Sequence, residues 1–391
     1  MACVSAGSAS VRENPFPKTH ALWENITMHK LIYPDYKNCI ANLPNSIVKY
    51  FGGEPAGDTL PMLKPYLKKG YRNIVVFLLD GMGKAIIERH LAADGPFRSN
   101  LAGIYTSTFL STTVAATTSM MSGKQPCEHG WLGWDCYYPQ IDKNVTCFYN
   151  LEQGTDIPAA DFNVSATFTA YESIIEKIKK TGRKAVMYAP FREPKTDDIR
   201  DLCDRVRRDC AEPGEHYEYV YWNQPDGLLH RDGCGADSVH ENLLYMEQAI
   251  AELAAELTDT LVIVTADHGH IDTEYAVLQD YPELTDCLKR LPSLEPRALN
   301  LFVKEEKKDF FEKEWNRLFG DRFLLMPMEE VIKKKLMGTG TPHPLFRDLL
   351  GDYLAVATGD LTIFYYGEKY FVSNHGSLTE DEMLIPLIVF S

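Results

Sequence analysis

The chain of 391 residues is 45% hydrophobic and 24% charged, the balance of a soluble globular protein, and is long enough for one large α/β domain or two ordinary ones. A formal net charge of -15 argues against partners such as nucleic-acid polymers and anionic membranes. It leaves room for an anionic small substrate, because bound cations can reverse the local sign.

Residues 1 to about 22 are polar, with Pro15 and Pro17, and read as a loose arm. They lack a basic segment followed by an apolar one, and no stretch reaches the roughly 18 apolar residues of a membrane span. With nine cysteines and no C-x-x-C pair, the expectation is reduced thiols and a cytoplasmic location. Leu31 to Tyr50 leads to a weak helix, which Gly52, Gly53 and Pro55 break.

Arg72 to Asp80 is the first clear buried strand, and it ends on a carboxylate followed by Gly81-Met82-Gly83. A dinucleotide fingerprint would need a further glycine where Ile86 stands. A second strand is expected near Gly103 to Phe109. Ser111 to Ser122 is small and hydroxyl-rich; Val114 to Met121 reads as a helix that Gly123 ends. A hydroxyl ahead of that helix lies in the field of its N-terminal N–H groups, though a plain Ser/Thr cap reads the same way. Cys127 to Tyr138 is rich in aromatic residues. His129 reads as packed in its turn, and Cys127 and Cys136 as ordinary thiols.

Ser173 to Thr181 is expected as a helix, Lys184 to Ala189 as a strand and Asp197 to Cys210 as an exposed helix. Tyr217 to Trp222 is a strand leading to Asp226, with His230 four residues on. Ala236 to Leu257 is a long amphipathic helix feeding Leu261 to Thr265. Those apolar β-formers suit a strand buried on both faces, and Asp267-His268-Gly269 stands at its carboxyl end, where open α/β sheets place ligands. Beyond His270 the pattern is less regular. It includes a strand at Ala298 to Val303, helices at Lys307 to Phe319 and Met328 to Leu336, and strands at Asp352 to Ala357 and Leu361 to Tyr366. Residues 271–370 could form a cap or a pocket-forming insertion on a core of about 72–390. Asn374-His375-Gly376 precedes a final apolar strand, Ile385 to Phe390. Strands alternating with helices predict a single α/β domain with a mainly parallel central sheet and helices on both faces.

Asp80, Asp226, His230, Asp267, His268 and His375 make a divalent-metal inventory. Nitrogen and carboxylate donors suit zinc best, with manganese or iron as alternatives. Six donors exceed one tetrahedral ion and suit a pair, which at about 3.5–4 Å apart activates a hydroxyl and clamps phosphate oxygens. Three carboxylates and an alkoxide also balance the charge of two divalent ions.

These motifs resemble the alkaline phosphatase superfamily, and within it the type I phosphodiesterase/nucleotide pyrophosphatase family. The resemblance rests on Asp80-Gly81, Thr113 with Gly123 ten residues on, Pro225-Asp226 with His230, Asp267-His268-Gly269 and His375-Gly376, in the family's order over about residues 72–390. It implies an alkaline phosphatase-like fold and a hydrolase of small phosphoesters with two metal sites. One is formed by Asp80, Thr113, Asp267 and His268, the other by Asp226, His230 and His375. Thr113 would be the nucleophile and form a phosphoryl-threonine that water hydrolyses; Thr112 is the competing assignment. Trp134 stands where family members usually carry an Asn that binds a phosphate oxygen, and Val114-Ala115-Ala116 follows the nucleophile in place of the frequent Pro-Asn. The first departure weakens the diester preference and keeps a phosphomonoesterase or phosphonate hydrolase as the alternative, with a non-catalytic metal-binding protein as the third reading. Trp134, Trp222, Trp131 and the tyrosines near 137 could wall the substrate pocket or fill the core. His270 could support the metal ligands from behind, Arg297 could reach an anionic substrate, and Lys333 to Lys335 read as a solvated helix face.

Overall fold

The computed structural model describes residues 29–367 and 371–391; the polar arm expected at the N-terminus lies outside them. Six strands form the central sheet. Their spatial order is Leu101–Thr106, Leu384–Phe390, Thr260–Thr265, Asn73–Leu79, His216–Trp222 and Lys184–Tyr188. Thr260–Thr265, Asn73–Leu79, His216–Trp222 and Lys184–Tyr188 pair in parallel. Leu384–Phe390 runs antiparallel between Thr260–Thr265 and Leu101–Thr106. The sheet is therefore mixed, with the expected parallel strands at its centre. Asn73–Leu79 and Thr260–Thr265 are buried along their whole length, which is why their sequences are continuous apolar runs rather than alternating ones.

Two groups of helices flank the sheet. Lys84–His90, Ile199–Ala211 and Asp237–Glu256 pack together, and Asn42–Tyr50, Thr113–Ser122 and Ile174–Lys180 form the other group. The main hydrophobic core lies between these helices and the strands.

A second, antiparallel sheet has seven strands, in the order Phe323–Pro327, Tyr353–Ala357, Ala298–Leu301, Ser293–Glu295, Asp135–Tyr138, Lys143–Thr146 and Leu151–Glu152. It draws on residues 135–152 as well as on the later region. Its own core surrounds Leu294, Val356 and Cys136 on one side and Phe311, Trp315 and Phe323 on the other. The Leu294 to Asp135 pairing sets Glu295 beside Trp134, next to the start of the Thr113–Ser122 helix.

Candidate active site

The carboxyl ends of two neighbouring strands of the central sheet are stitched together through the backbone. The Asp80 N–H donates to the Trp222 carbonyl at 2.9 Å, and the Asp226 N–H donates to the Asp80 carbonyl at 3.0 Å. Asp226 then opens the short helix Asp226–Asp232, so His230, one turn later, lies on the same face. The turns after the strands pack backbone against backbone. A Cβ on Gly83 would run into the Gly269 Cα, and one on Gly269 into the Asp381 carbonyl. Gly81, at φ 75°, is in the left-handed region, and a Cβ there would press on the His270 ring at 3.0 Å.

Thr113 is the first residue of its helix, with Thr112 as the N-cap in extended geometry. The Thr113 hydroxyl lies 3.2 Å from His268 Nε2 and 3.5 Å from Asp80 Oδ1. Thr112 turns its hydroxyl away and donates it to Glu295. Of the two adjacent threonines, Thr113 is the one that faces Asp80 and His268.

Asp80, Asp226 and His268 bring donor atoms within 4.8 Å of one another, and so do Asp226, His230, His270 and His375. The His268 and His375 rings stack with centroids 3.7 Å apart. Asp267 is fully buried behind this group. Its Oδ1 accepts the Gly81 and His268 N–H groups at 3.1 and 3.0 Å, while its Oδ2, 3.5 Å from His268 Nε2, has no hydrogen-bond partner. Burial and the nearby Asp80 charge push the Asp267 carboxyl well above the usual range. Tyr221 donates its phenol to Asp80 Oδ2.

These donors fit a divalent cation. Backbone carbonyls only accept, so the Ser373 carbonyl at 2.8 Å from His230 Nδ1, the Ser111 carbonyl at 3.2 Å from His375 Nδ1 and the Gly269 carbonyl at 3.1 Å from His268 Nδ1 fix a proton on each Nδ1. Each neutral ring then presents an Nε2 lone pair inward. His230 Nε2 faces Asp226 Oδ1 at 3.3 Å and His268 Nε2 faces Asp80 Oδ1 at 3.3 Å. Lone pairs opposed at that distance repel unless a cation lies between them. A tetrahedral zinc with bonds of about 2.0–2.1 Å separates its donors by about 3.3 Å. Metal-free, a proton serves instead: burial opposes it, but the Asp267 and Asp80 charges outweigh burial and His268 is pushed up to about 10. His375 moves the other way, held well below its usual value by burial and by the His268, His270 and His230 rings.

All seven residues expected as metal ligands therefore converge, and His270 joins them. The aromatic residues behave differently. Trp134 is partly exposed, packed edge-on against Phe148 and Tyr149. Its backbone N–H donates to Glu295 Oε1 at 2.7 Å, so a buried carboxyl from the second sheet stands beside the position expected to hold an Asn. Trp222 lies in the main hydrophobic core and is not brought to the site. Trp131 and Tyr138 are packed against Thr169 and Phe168, and Tyr137 against Phe302 and Arg290. His129 is buried with Ser119 at 3.0 Å, as expected for a packed turn.

Arg297 is not available to a substrate. It is fully buried, paired with Glu382 at 2.8 Å and bonded to the Gly359 and Leu361 carbonyls. Glu382 in turn accepts from the Ser377 N–H at 3.0 Å and from the Ser377 and Thr379 hydroxyls, which anchors the loop carrying His375. Glu295 and Tyr221 were not legible as site residues. Glu295 ends a three-residue strand whose neighbour in space is 161 residues away in sequence, and Tyr221 is one of three tyrosines in its strand.

No curated protein sequence matches the chain. Solved structures share its fold. Murine ectonucleotide pyrophosphatase/phosphodiesterase 5 superposes with a TM-score of 0.60 at 16% identity, covering 80% of this chain and 87% of that one. The human protein of the same name gives 0.62 at 14%, covering 81% and 87%. Phosphonoacetate hydrolase from Sinorhizobium meliloti 1021, in complex with phosphonoformate, gives 0.62 at 14%, covering 82% and 90%. The family model for type I phosphodiesterase/nucleotide pyrophosphatase matches residues 74–378, a span that begins in the Asn73–Leu79 strand and ends just past His375. The chain belongs to that family of metal-dependent phosphoester hydrolases.

Proposed function

We propose that the protein hydrolyses small phosphodiesters or nucleotide-like pyrophosphates through a covalent phosphoryl-threonine on Thr113. The observation that carries this reading is the Thr113 hydroxyl, set at a helix N-terminus and within 3.5 Å of both Asp80 and His268. Two divalent cations, zinc by the mixed nitrogen and oxygen donors, would be held by Asp80, Thr113, Asp267 and His268 and by Asp226, His230 and His375. When bound they would lower the pKa of the hydroxyl and offset the charge of the phosphate.

The chain's own groups do the rest. Thr113 Oγ1, its proton released to solvent, forms a bond to phosphorus as the ester P–O bond breaks, and the leaving oxygen takes a proton from water. The N–H groups at the start of the helix face the anion. Water then cleaves the phosphoryl-threonine and regenerates the hydroxyl. An inactive threonine-to-alanine variant of the murine neighbour, solved in complex with AMP, supports a threonine and a nucleotide in the same roles here.

The runner-up is phosphonate or phosphomonoester hydrolysis. Trp134 favours it, because its side chain packs outward and its N–H is spent on Glu295, leaving the expected second contact to a diester oxygen unmade. The negative charge and the eight described cysteines, all free and buried, support a soluble cytoplasmic enzyme with no nucleic-acid polymer or membrane as partner. Among the described residues, no helix is long and apolar enough to cross a membrane.

The test is an activity panel on zinc-loaded protein with bis-p-nitrophenyl phosphate, p-nitrophenyl phosphate and phosphonoacetate. Preference for the diester supports the main reading; preference for phosphonoacetate or the monoester moves the assignment to the runner-up. Thr113→Ala should lose at least about a thousandfold in kcat while retaining its metal. Full activity in that variant rules out the nucleophile.

A further inference from the structure

His270 stands outside both ligand groups implied by the family resemblance, yet its ring joins one of them. The ring is buried, with centroids 4.7 Å from His230 and 4.9 Å from His375. Its Nε2 is 2.8 Å from Asp226 Oδ1, the same oxygen that His230 and His375 approach at 3.3 and 3.7 Å.

What separates His270 from its neighbours is the partner of its other nitrogen. His230 and His375 hold Nδ1 against carbonyls, which fixes their tautomer. His270 Nδ1 lies 3.0 Å from the Ser373 hydroxyl, which can donate or accept. Both tautomers of His270 are therefore satisfied. With the proton on Nε2, His270 donates to Asp226 Oδ1, 2.8 Å away, and Ser373 donates to Nδ1. With the proton on Nδ1, Ser373 rotates to accept it, and Nε2 offers a lone pair beside Asp226. The ring stays neutral, and no group gains or loses net charge.

We propose that His270 is a fourth protein ligand to the ion held by Asp226, His230 and His375, brought in by this tautomer change against Ser373. The proposal rests on the two-metal reading above. Three imidazoles and one carboxylate fill the four positions of a tetrahedral zinc, as in sites that hold their metal firmly. The set formed by Asp80, Thr113, Asp267 and His268 contains one imidazole. The two ions are then held unequally, and the one with three imidazoles is the last to leave.

Two measurements on the full chain test this. In the first, zinc-loaded protein is dialysed against graded chelator and its metal counted by mass spectrometry. Wild type is expected to lose its ions in two separate steps. His270→Gln, which keeps an N–H for Asp226, should lose the tighter ion at least about a hundredfold more easily and keep the weaker one unchanged. In the second, the protein is labelled with 15N-histidine and its ring resonances are read before and after zinc, His270 being assigned by its absence from the variant. The expected result is an Nε2–H ring without metal and an Nδ1–H ring with a metal-shifted Nε2 after loading. An Nε2–H ring in the loaded protein, or a variant that holds both ions like wild type, overturns the proposal and leaves the two-metal reading standing. Wild type that retains no more than one ion overturns both.

Discussion

Glu295 is the clearest case of a residue whose part in the site depends on partners far away in the chain. Burial pushes its carboxyl up to about 7, and Oε1 accepts from both the Trp134 N–H and the Thr112 hydroxyl. It thereby ties the second sheet to the residue immediately before Thr113. Its role is to position, and what it needs is an acceptor oxygen rather than a charge. Glu295→Gln keeps that oxygen and should retain near-wild-type kcat and stability. Glu295→Ala leaves two donors unpaired, which should cost about 1–3 kcal/mol and lower kcat with little change in KM. Chemical denaturation and steady-state kinetics on the two variants check this. Equal behaviour of the two would remove Glu295 from the site. Asp80, Asp226, His230, Asp267, His268 and His375 were legible in the sequence because each follows a strand or sits in a Gly-flanked turn, where a polar residue has no packing reason to be. Glu295 carries no such mark, and Trp222 carried a misleading one: a Trp at a strand end reads equally as pocket wall or core, and its neighbours in space decided for the core.

At the scale of elements, the parallel strands were legible because full burial makes them continuous apolar runs. The second sheet was not, because Asp135–Tyr138 and Lys143–Thr146 are only four residues each, and Asp135–Tyr138 joins the rest of its sheet through a strand about 150 residues later. One central strand breaks its own rule. Glu218 lies in His216–Trp222 between Val75 and Val186, with Oε2 unpartnered. Burial, then the Asp209 charge, push it up to about 9 against the pull of Lys184. A carboxyl raised in the folded state stabilises at low pH, and that contribution is lost as pH rises from about 4.5 towards 9. Glu218→Gln should flatten this slope and be more stable than wild type by about 1–3 kcal/mol near pH 8–9. Parallel denaturation curves at pH 5 and 8.5 decide it; an unchanged slope means the carboxyl ionises without cost. The loop carrying His375 depends on the opposite arrangement. Burial alone would raise Glu382, but Arg297 and its hydroxyl donors hold it below the usual range. Its contribution is present at neutral pH and lost as pH falls through that lowered value. Arg297→Met strands Glu382 in the interior and should cost about 3–5 kcal/mol at pH 7, a gap that narrows in acid. A loss under about 1 kcal/mol would show that the loop does not depend on the pair.

For the whole molecule, the site concentrates charge that the fold alone does not neutralise. Three carboxylates meet in a chain already at -15, and without a cation the nearest compensation is the proton on His268, held up to about 10. Metal binding needs that nitrogen bare, so loading at pH 7 must release the His268 proton along with any held by Asp267. Apparent affinity should therefore rise with pH, by about tenfold per unit for each proton displaced, up to about pH 10. Stability follows by mass action: free zinc at about a thousand times its Kd adds about 4 kcal/mol, and chelation removes it. The difference in Tm between zinc-loaded and chelated protein should thus be smallest near pH 5 and widen towards pH 8. Differential scanning calorimetry across that range, with calorimetric titration in two buffers of different ionisation enthalpy to count released protons, measures both quantities. A metal increment in Tm that does not change with pH, with no proton release, would mean that the carboxylates and His268 are not the ligands, and the site would have to be sought elsewhere in the fold.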